Sequence, residues 1–279
     1  MKRNAFIWTL ILVSCVFLAS CQSAPSAPSS IKVLALGSKT SEDAVEQYLW
    51  DIAHASGKQI LTGNAYVPAC TLEKHFGFIQ SGEAAYSYRK VQMEDGQRIV
   101  TDSVTLKQIL QDEDWDYVSI QQLISLSSDF TTFEPYLDTI LSFLRANLPA
   151  KTKILFHHTW SYGPNATNAD FENFSRDGQK MFEAICACTQ KVLKRDDISG
   201  VIPSGTAIQL ARQTALGNDL TRDNIHMDLD KGRYIVALTW FETLFNTSCI
   251  GNTYHPDAVT PEQAVLCQKA AHEACQKPF

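Results

Sequence analysis

Ile31-Lys32-Val33-Leu34-Ala35-Leu36-Gly37 is the stretch on which the fold of this chain turns. Its apolar residues run on without the polar alternation of a half-exposed strand. That is the pattern of a strand covered on both faces, and Gly37 closes it. Residues 42–55 follow with Ala44, Val45, Tyr48, Leu49, Ile52 and Ala53 at helical spacing, so the unit reads as strand, turn, helix. A strand carrying helices on both faces belongs to an α/β fold with a mainly parallel sheet.

The same rhythm extends outward from this unit. A second strand is expected over 59–67 and a short helix over 72–79. Residues 86–93 and 97–101, separated by Glu94-Asp95-Gly96, read as a hairpin and therefore as a small antiparallel insertion. Beyond it the patterns give a helix near 104–111, a strand at 116–120, a helix at 133–147 and a strand at 153–158. A long helix at 170–194, a short strand at 200–203 and helices at 206–215 and 231–245 complete the alternation, and a last helix carries Cys267 and Cys275. The chain shows no internal repeat and no second linker, so residues 31–279 form one domain. In sheets of this kind, sites gather at the carboxyl ends of the strands.

At the amino end, Lys2 and Arg3 precede a short apolar core from Phe6 to Leu18, followed by Ala19, Ser20 and Cys21. The core is shorter than the roughly 20 apolar residues of a bilayer span and ends in small residues, as a cleaved signal does. The Leu18-Ala19-Ser20-Cys21 run resembles the lipobox of bacterial lipoproteins. That resemblance implies a signal peptide over 1–20, acyl chains on Cys21 and a lipid-anchored protein of the cell envelope; Gln22 favours the outer membrane. Residues 22–30 hold only Gln, Ser, Ala and Pro, so 21–30 reads as a flexible tether.

The formal net charge is −6, and −8 once Lys2 and Arg3 leave with the signal. An acidic surface argues against nucleic acid or anionic lipid as a partner. The remaining cysteines show no zinc-type spacing, and no metal or cofactor is expected. In an oxidising compartment a disulfide becomes possible, and Cys249 is placed to pair with Cys267 or Cys275. Cys186 and Cys188, two apart on a helix, diverge and cannot pair with each other.

Segments at strand carboxyl ends hold the candidate chemistry: Gly37-Ser38-Lys39-Thr40-Ser41 after the first strand, Gln121-Gln122 after that at 116–120, and His157-His158-Thr159-Trp160 after that at 153–158. Asp223 and His226 stand three residues apart before a helix. A carboxylate at that spacing can hold the Nδ1 proton of an imidazole and leave Nε2 free as a base; a satisfied surface pair is the plainer reading. Gln121 and Gln122 offer amide donors and acceptors, and Trp160 offers an indole face suited to a sugar ring or acyl group, although an indole there is more often core. His157 and His158 point to opposite faces if the strand continues through them. Gly37-Ser38-Lys39-Thr40 is not a phosphate loop, because the Gly-Lys-Ser/Thr core and its upstream Gly are missing.

Several runs then combine: Val33-Leu34-Ala35-Leu36-Gly37, Cys70-Thr71-Leu72-Glu73-Lys74-His75, Tyr117-Val118-Ser119-Ile120-Gln121-Gln122, His158-Thr159-Trp160, Ile202-Pro203-Ser204-Gly205-Thr206 and Asp223-Asn224-Ile225-His226. In this order they resemble an SGNH-hydrolase-like family of exported bacterial proteins, within the GDSL-type esterase superfamily. The resemblance implies a flavodoxin-like three-layer α/β/α sandwich. It also implies a serine after the first strand that attacks an ester carbonyl, with His226 as its base and Asp223 orienting His226. The chain departs from the family in the turn, where Gly-Asn-Ser-Phe-Ser is replaced by Gly37-Ser38-Lys39-Thr40-Ser41 and Lys39 takes the nucleophile position. It departs again where Pro68-Ala69 stands for a Gly-Gly pair that lines the oxyanion hole, since proline has no N–H to donate.

Four readings of the turn stay open: Ser38 as a nucleophile one position early, Ser41 in that role, Lys39 with the helix amino end as an anion site, or Lys39 solvated in a degenerate site. The resulting expectation is an ester hydrolase acting on a small molecule or glycan, for example a carbohydrate acetyl ester. Its rival is a non-catalytic binding lipoprotein that holds its ligand with Lys39 and Trp160.

Overall fold

The computed structural model describes residues 28–279. Residues 1–20, expected to be a signal peptide, Cys21 and most of the expected tether lie outside the described residues. Strands β1 (Ser30–Gly37) and β2 (Gln59–Tyr66) pair in parallel along their whole length, Ser30 opposite Gln59 and Gly37 opposite Tyr66. On the other side, β1 pairs in parallel with β5 (Tyr117–Ile120), followed by β6 (Lys153–His157) and β7 (Gly200–Ile202). The expected hairpin is β3 (Tyr86–Val91) and β4 (Arg98–Val104), and β3 runs antiparallel to both of its neighbours. The sheet order is β4-β3-β2-β1-β5-β6-β7. Connections leave β1 toward β2 and return on its other side at β5, so the switch point lies between β1 and β5, where α/β sheets open a crevice.

Alternate side chains of β1 feed two cores. Ile31, Val33 and Ala35 enter one, and Leu34 and Leu36 enter the other. The first core is covered by α1 (Lys39–Val45), α2 (Leu49–Ala55), α7 (Ser204–Arg212), α8 (Lys231–Phe245) and α9 (Pro261–Gln276). The second lies under α3 (Leu72–Ser81), α4 (Leu106–Leu110) and α5 (Tyr136–Asn147). The remaining helix, α6 (Gly178–Val192), gives Met181 and Ile185 to the first core and Cys188 and Val192 to the second. This is the three-layer sandwich with a mainly parallel sheet. Helix α8 is buried nearly all round because α1 and α2 pack on it from one side and α9 from another.

Two long helices read from periodicity are each broken. The 42–55 segment divides into α1 and α2, since the Thr62 hydroxyl donates to the Val45 carbonyl at 2.8 Å and takes the acceptor that a continuing helix needs. The 170–194 segment becomes a 3-10 helix at Ala169–Phe174 and then α6. Ser175 and Arg176 between them both have positive φ, and Asp177 restarts the chain by accepting from the N–H groups of Gln179 and Lys180.

The disulfide expectation is corrected. Cys70, Cys186, Cys188, Cys249, Cys267 and Cys275 are all free thiols. Although α9 does pack back on α8, Cys249 Sγ donates to the Gln268 carbonyl at 3.4 Å and Cys275 Sγ to the Thr239 carbonyl at 3.7 Å. Burial pushes the thiols of Cys267 and Cys275 up to about 12, so both behave as small apolar groups. Among the described residues no helix is long and apolar enough to cross a membrane.

Candidate active site

Asp223 and His226 sit on a tight hairpin closed by an antiparallel bridge between Thr221 and Met227. Asp223 Oδ2 meets His226 Nδ1 at 2.6 Å, while Oδ1 accepts the backbone N–H groups of Ile225 and His226 at 3.0 and 2.6 Å. Partial burial works to raise the Asp223 pKa, but these bonds outweigh it and hold the carboxyl below the usual aspartate range. The carboxylate therefore fixes the imidazole by Nδ1 and leaves Nε2 free on a side chain that is 30% exposed.

Long-range contacts hold this hairpin at the carboxyl end of the sheet. The Trp160 indole donates to the Ile225 carbonyl at 2.7 Å, and the Gly163 N–H donates to the Asn224 carbonyl at 2.7 Å. A Cβ on Gly163 would lie 2.7 Å from Asn224 Oδ1, so only glycine permits that approach. On the other side Asp43 of α1, itself buried, accepts from Arg222 Nη1 at 3.1 Å, Arg233 Nε at 2.8 Å and the Met227 N–H at 3.1 Å. Asp43 thus bolts the His226 hairpin to the helix that opens at the Ser38 turn.

That turn is compact. Ser38 stands at the N-cap position of α1 but makes no capping bond, and its hydroxyl is enclosed without a partner on a residue only 1% exposed. Ser41 is committed to structure: its hydroxyl lies 2.8 Å from the Ser38 carbonyl and 2.9 Å from Asn64 Oδ1. Lys39 reaches outward, its side chain 45% exposed, and its ammonium lies 3.1 and 3.2 Å from the two oxygens of Glu42. Glu42 also receives Arg89 at 3.0 Å. Burial favours its neutral form, yet Lys39 and Arg89 hold its pKa below the usual glutamate range. Ala69, beside Pro68, adopts φ +48°, the left-handed region where glycine is at ease.

The two glutamines part company. Gln122 is fully buried and satisfied, accepting from the N–H groups of Leu72 and Leu123 and donating to the carbonyl and hydroxyl of Thr132. It braces the start of α3 and has no group left for a ligand, which corrects its assignment as a binding residue. Gln121 lies against the turn, with its amide nitrogen 2.9 Å from where a Gly37 Cβ would stand, and that nitrogen has no partner. Trp160 is likewise corrected: it is 0% exposed, and its ring offers no face to a sugar. His157 and His158 do diverge, His157 toward Gln121 and Ser204 and His158 toward Cys186.

No role for Asp43, Arg222, Arg233 or Ser204 was legible in the sequence, although Ser204 lies in one of the runs that carry the resemblance. The partners of Asp43 lie 179 and 190 positions away, and no local pattern marks a carboxylate that only the folded chain neutralises. Among the described residues there is no group of His, Cys, Asp and Glu arranged to hold a metal ion.

The strand order and the mainly parallel sheet between two layers of helices put the chain in the SGNH-hydrolase-like fold class. Solved structures of that class match it: a candidate SGNH hydrolase from Slackia heliotrinireducens (TM-score 0.51, 17% identity, 77% of this chain and 98% of that one) and the acetyl xylan esterase AlAXEase (TM-score 0.51, 13% identity, 77% and 100%). More specifically, the chain belongs to the DUF4886 family, described as a domain of unknown function, which matches residues 32–274. A DUF4886 family protein from Bacteroides uniformis superposes with TM-score 0.87 at 38% identity, covering 89% of this chain and 96% of that one. The search of curated proteins finds no match.

Proposed function

We propose that this protein is an exported lipoprotein, anchored through Cys21 to the cell envelope, that hydrolyses an ester of a small molecule or glycan. The Asp223–His226 pair carries this reading: a base held by a 2.6 Å contact with its second nitrogen free. Ser38 is the candidate attacking hydroxyl, because Ser41 serves the turn and Lys39 is a cation paired with Glu42. His226 Nε2 takes the Ser38 proton as Oγ bonds to the acyl carbon, then returns it to the departing alcohol. Water releases the acyl group by the same route. An oxygen turning negative would draw on the N–H groups of Lys39 and Ala69, since Pro68 has none. A carbohydrate acetyl ester is the substrate class suggested by fold analogy with the acetyl xylan esterase.

A second reading is a binding protein without turnover. The enclosure of the Ser38 hydroxyl favours it, together with the cation at the first position of α1. Fluorophosphonate labelling and nitrophenyl acetate turnover separate the two. The ester-hydrolase reading expects covalent label on Ser38, activity abolished by Ser38→Ala, and activity reduced about 100-fold or more in His226→Ala. It also expects turnover to rise in Lys39→Ser only while His226 is present. A protein that takes no label, with no activity gained in Lys39→Ser, belongs to the binding class.

A further inference from the structure

His157 is fully buried, and each ring nitrogen has one partner: Nδ1 lies 2.9 Å from Gln121 Oε1, and Nε2 lies 2.9 Å from Ser204 Oγ. Burial, with His158 adding to it, pushes the ring down to about 3, so it is neutral at physiological pH and carries one proton. Two arrangements of the chain Ser204–His157–Gln121 are then possible.

In the first, the Ser204 hydroxyl donates to Nε2 and Nδ1–H donates to the Gln121 carbonyl. In the second, the amide is turned over and donates to Nδ1, and Nε2–H donates to Ser204. Ser204 Oγ has no other hydrogen-bond partner among the described residues, so the second arrangement strands the hydroxyl proton as well as the Gln121 oxygen. The first leaves only the Gln121 NH2 group without a partner. Proton accounting therefore selects the first arrangement.

We infer that His157 and Ser204 are positioning residues that hold the Gln121 amide with its NH2 group toward the turn after β1, so that this corner of the site accepts an acyl or carboxylate oxygen. The Gln121 nitrogen, set against Gly37, is buried without a partner and can donate to such an oxygen; the Ser38 hydroxyl, one residue further along the turn, is also buried without a partner. Gly37 makes the placement possible, because a Cβ there would stand 2.9 Å from the amide nitrogen and 2.6 Å from Ser41 Oγ. The donor comes from the end of β5 and so does not depend on the loop altered by Pro68. Only the identity of the oxygen rests on the proposed ester chemistry; the orientation of the amide does not.

Long-range nitrogen–proton NMR of the full chain tests the orientation directly. His157 is expected to show a protonated Nδ1 and a bare Nε2, unchanged between pH 5.5 and 8. Ser204→Ala should convert this to a mixture of tautomers, and Ser204→Thr, which keeps the hydroxyl, should restore it. Titration with sodium acetate should shift the Gln121 side-chain NH2 resonances in the starting protein and shift them less in Ser204→Ala. If nitrophenyl acetate is turned over, Gln121→Glu should lower kcat about 100-fold with KM changed by less than about 3-fold, as loss of a donor to a developing charge does. A protonated Nε2 on His157, or Gln121 resonances indifferent to acetate, overturns the inference. Absence of turnover alone overturns only the ester-hydrolase reading.

Discussion

The hairpin carrying His226 and the turn carrying Ser38 and Lys39 stand at the same end of the sheet and share one anchor, Asp43, but they are held in different ways. In the hairpin the Asp223–His226 pair closes on itself over three residues, and the surrounding fold supplies only position through Trp160, Gly163 and Asp43. In the turn the local pattern supplies little. Ser38 does not cap its helix, Ser41 is drawn to Asn64, Lys39 is drawn to Glu42, and the amide facing the turn is oriented from β6 and α7. The pair needs only its own segment to form, whereas the turn depends on side chains brought from several elements.

The largest expected effect separates the partly exposed hairpin from the interior beneath it. His75, His157 and His158 are buried, with pKa values lowered by burial to about 4, 3 and 3. Each binds a proton in the unfolded chain at a higher pH than in the folded one, so stability is complete above about pH 6.5 and falls as pH drops toward the folded values. Between pH 8 and 5 the loss is about 2 kcal/mol per histidine and about 6 kcal/mol together. Asp223 behaves oppositely: its depressed pKa keeps it ionised until the pH falls below the usual aspartate range. Urea unfolding at stepped pH should therefore show the fold weakening while the Asp223–His226 contact, followed by NMR, is still formed. A flat urea midpoint from pH 7 to 5 contradicts the buried, neutral histidines.

A smaller effect tests the link between the two regions. Asp43→Ala removes the acceptor for Arg222, Arg233 and the Met227 N–H, and leaves the buried Arg233 guanidinium without its closest carboxylate. The expected cost is about 3–5 kcal/mol, seen as a Tm lower by about 10 °C. An unchanged Tm means that the hairpin and the turn are held together by something other than Asp43.

The smallest effect concerns the second altered segment. Ala69 holds a positive φ on an exposed loop, so Ala69→Gly should stabilise the protein by about 1 kcal/mol. Chemical unfolding measures it, and a loss of stability instead means that the Ala69 methyl makes a contact worth more than the strain.

Much of the fold was legible because β1 carries its own instructions: consecutive apolar residues from Val33 to Leu36 for burial on both faces, then a glycine, then helical spacing. Asp-x-x-His was legible for the same reason, since both partners and their geometry lie within one short segment. Periodicity misread the helices at 42–55 and 170–194, because a hydroxyl on β2 and two positive-φ residues end what the apolar spacing continues. Tertiary structure alone decided that Gln122 braces α3 while Gln121 keeps a free amide nitrogen, that Trp160 faces inward, and that Asp43 joins α1 to the hairpin. Neighbours in sequence share a composition but not an environment, and the strength of a buried polar group depends on partners that folding brings from more than a hundred residues away.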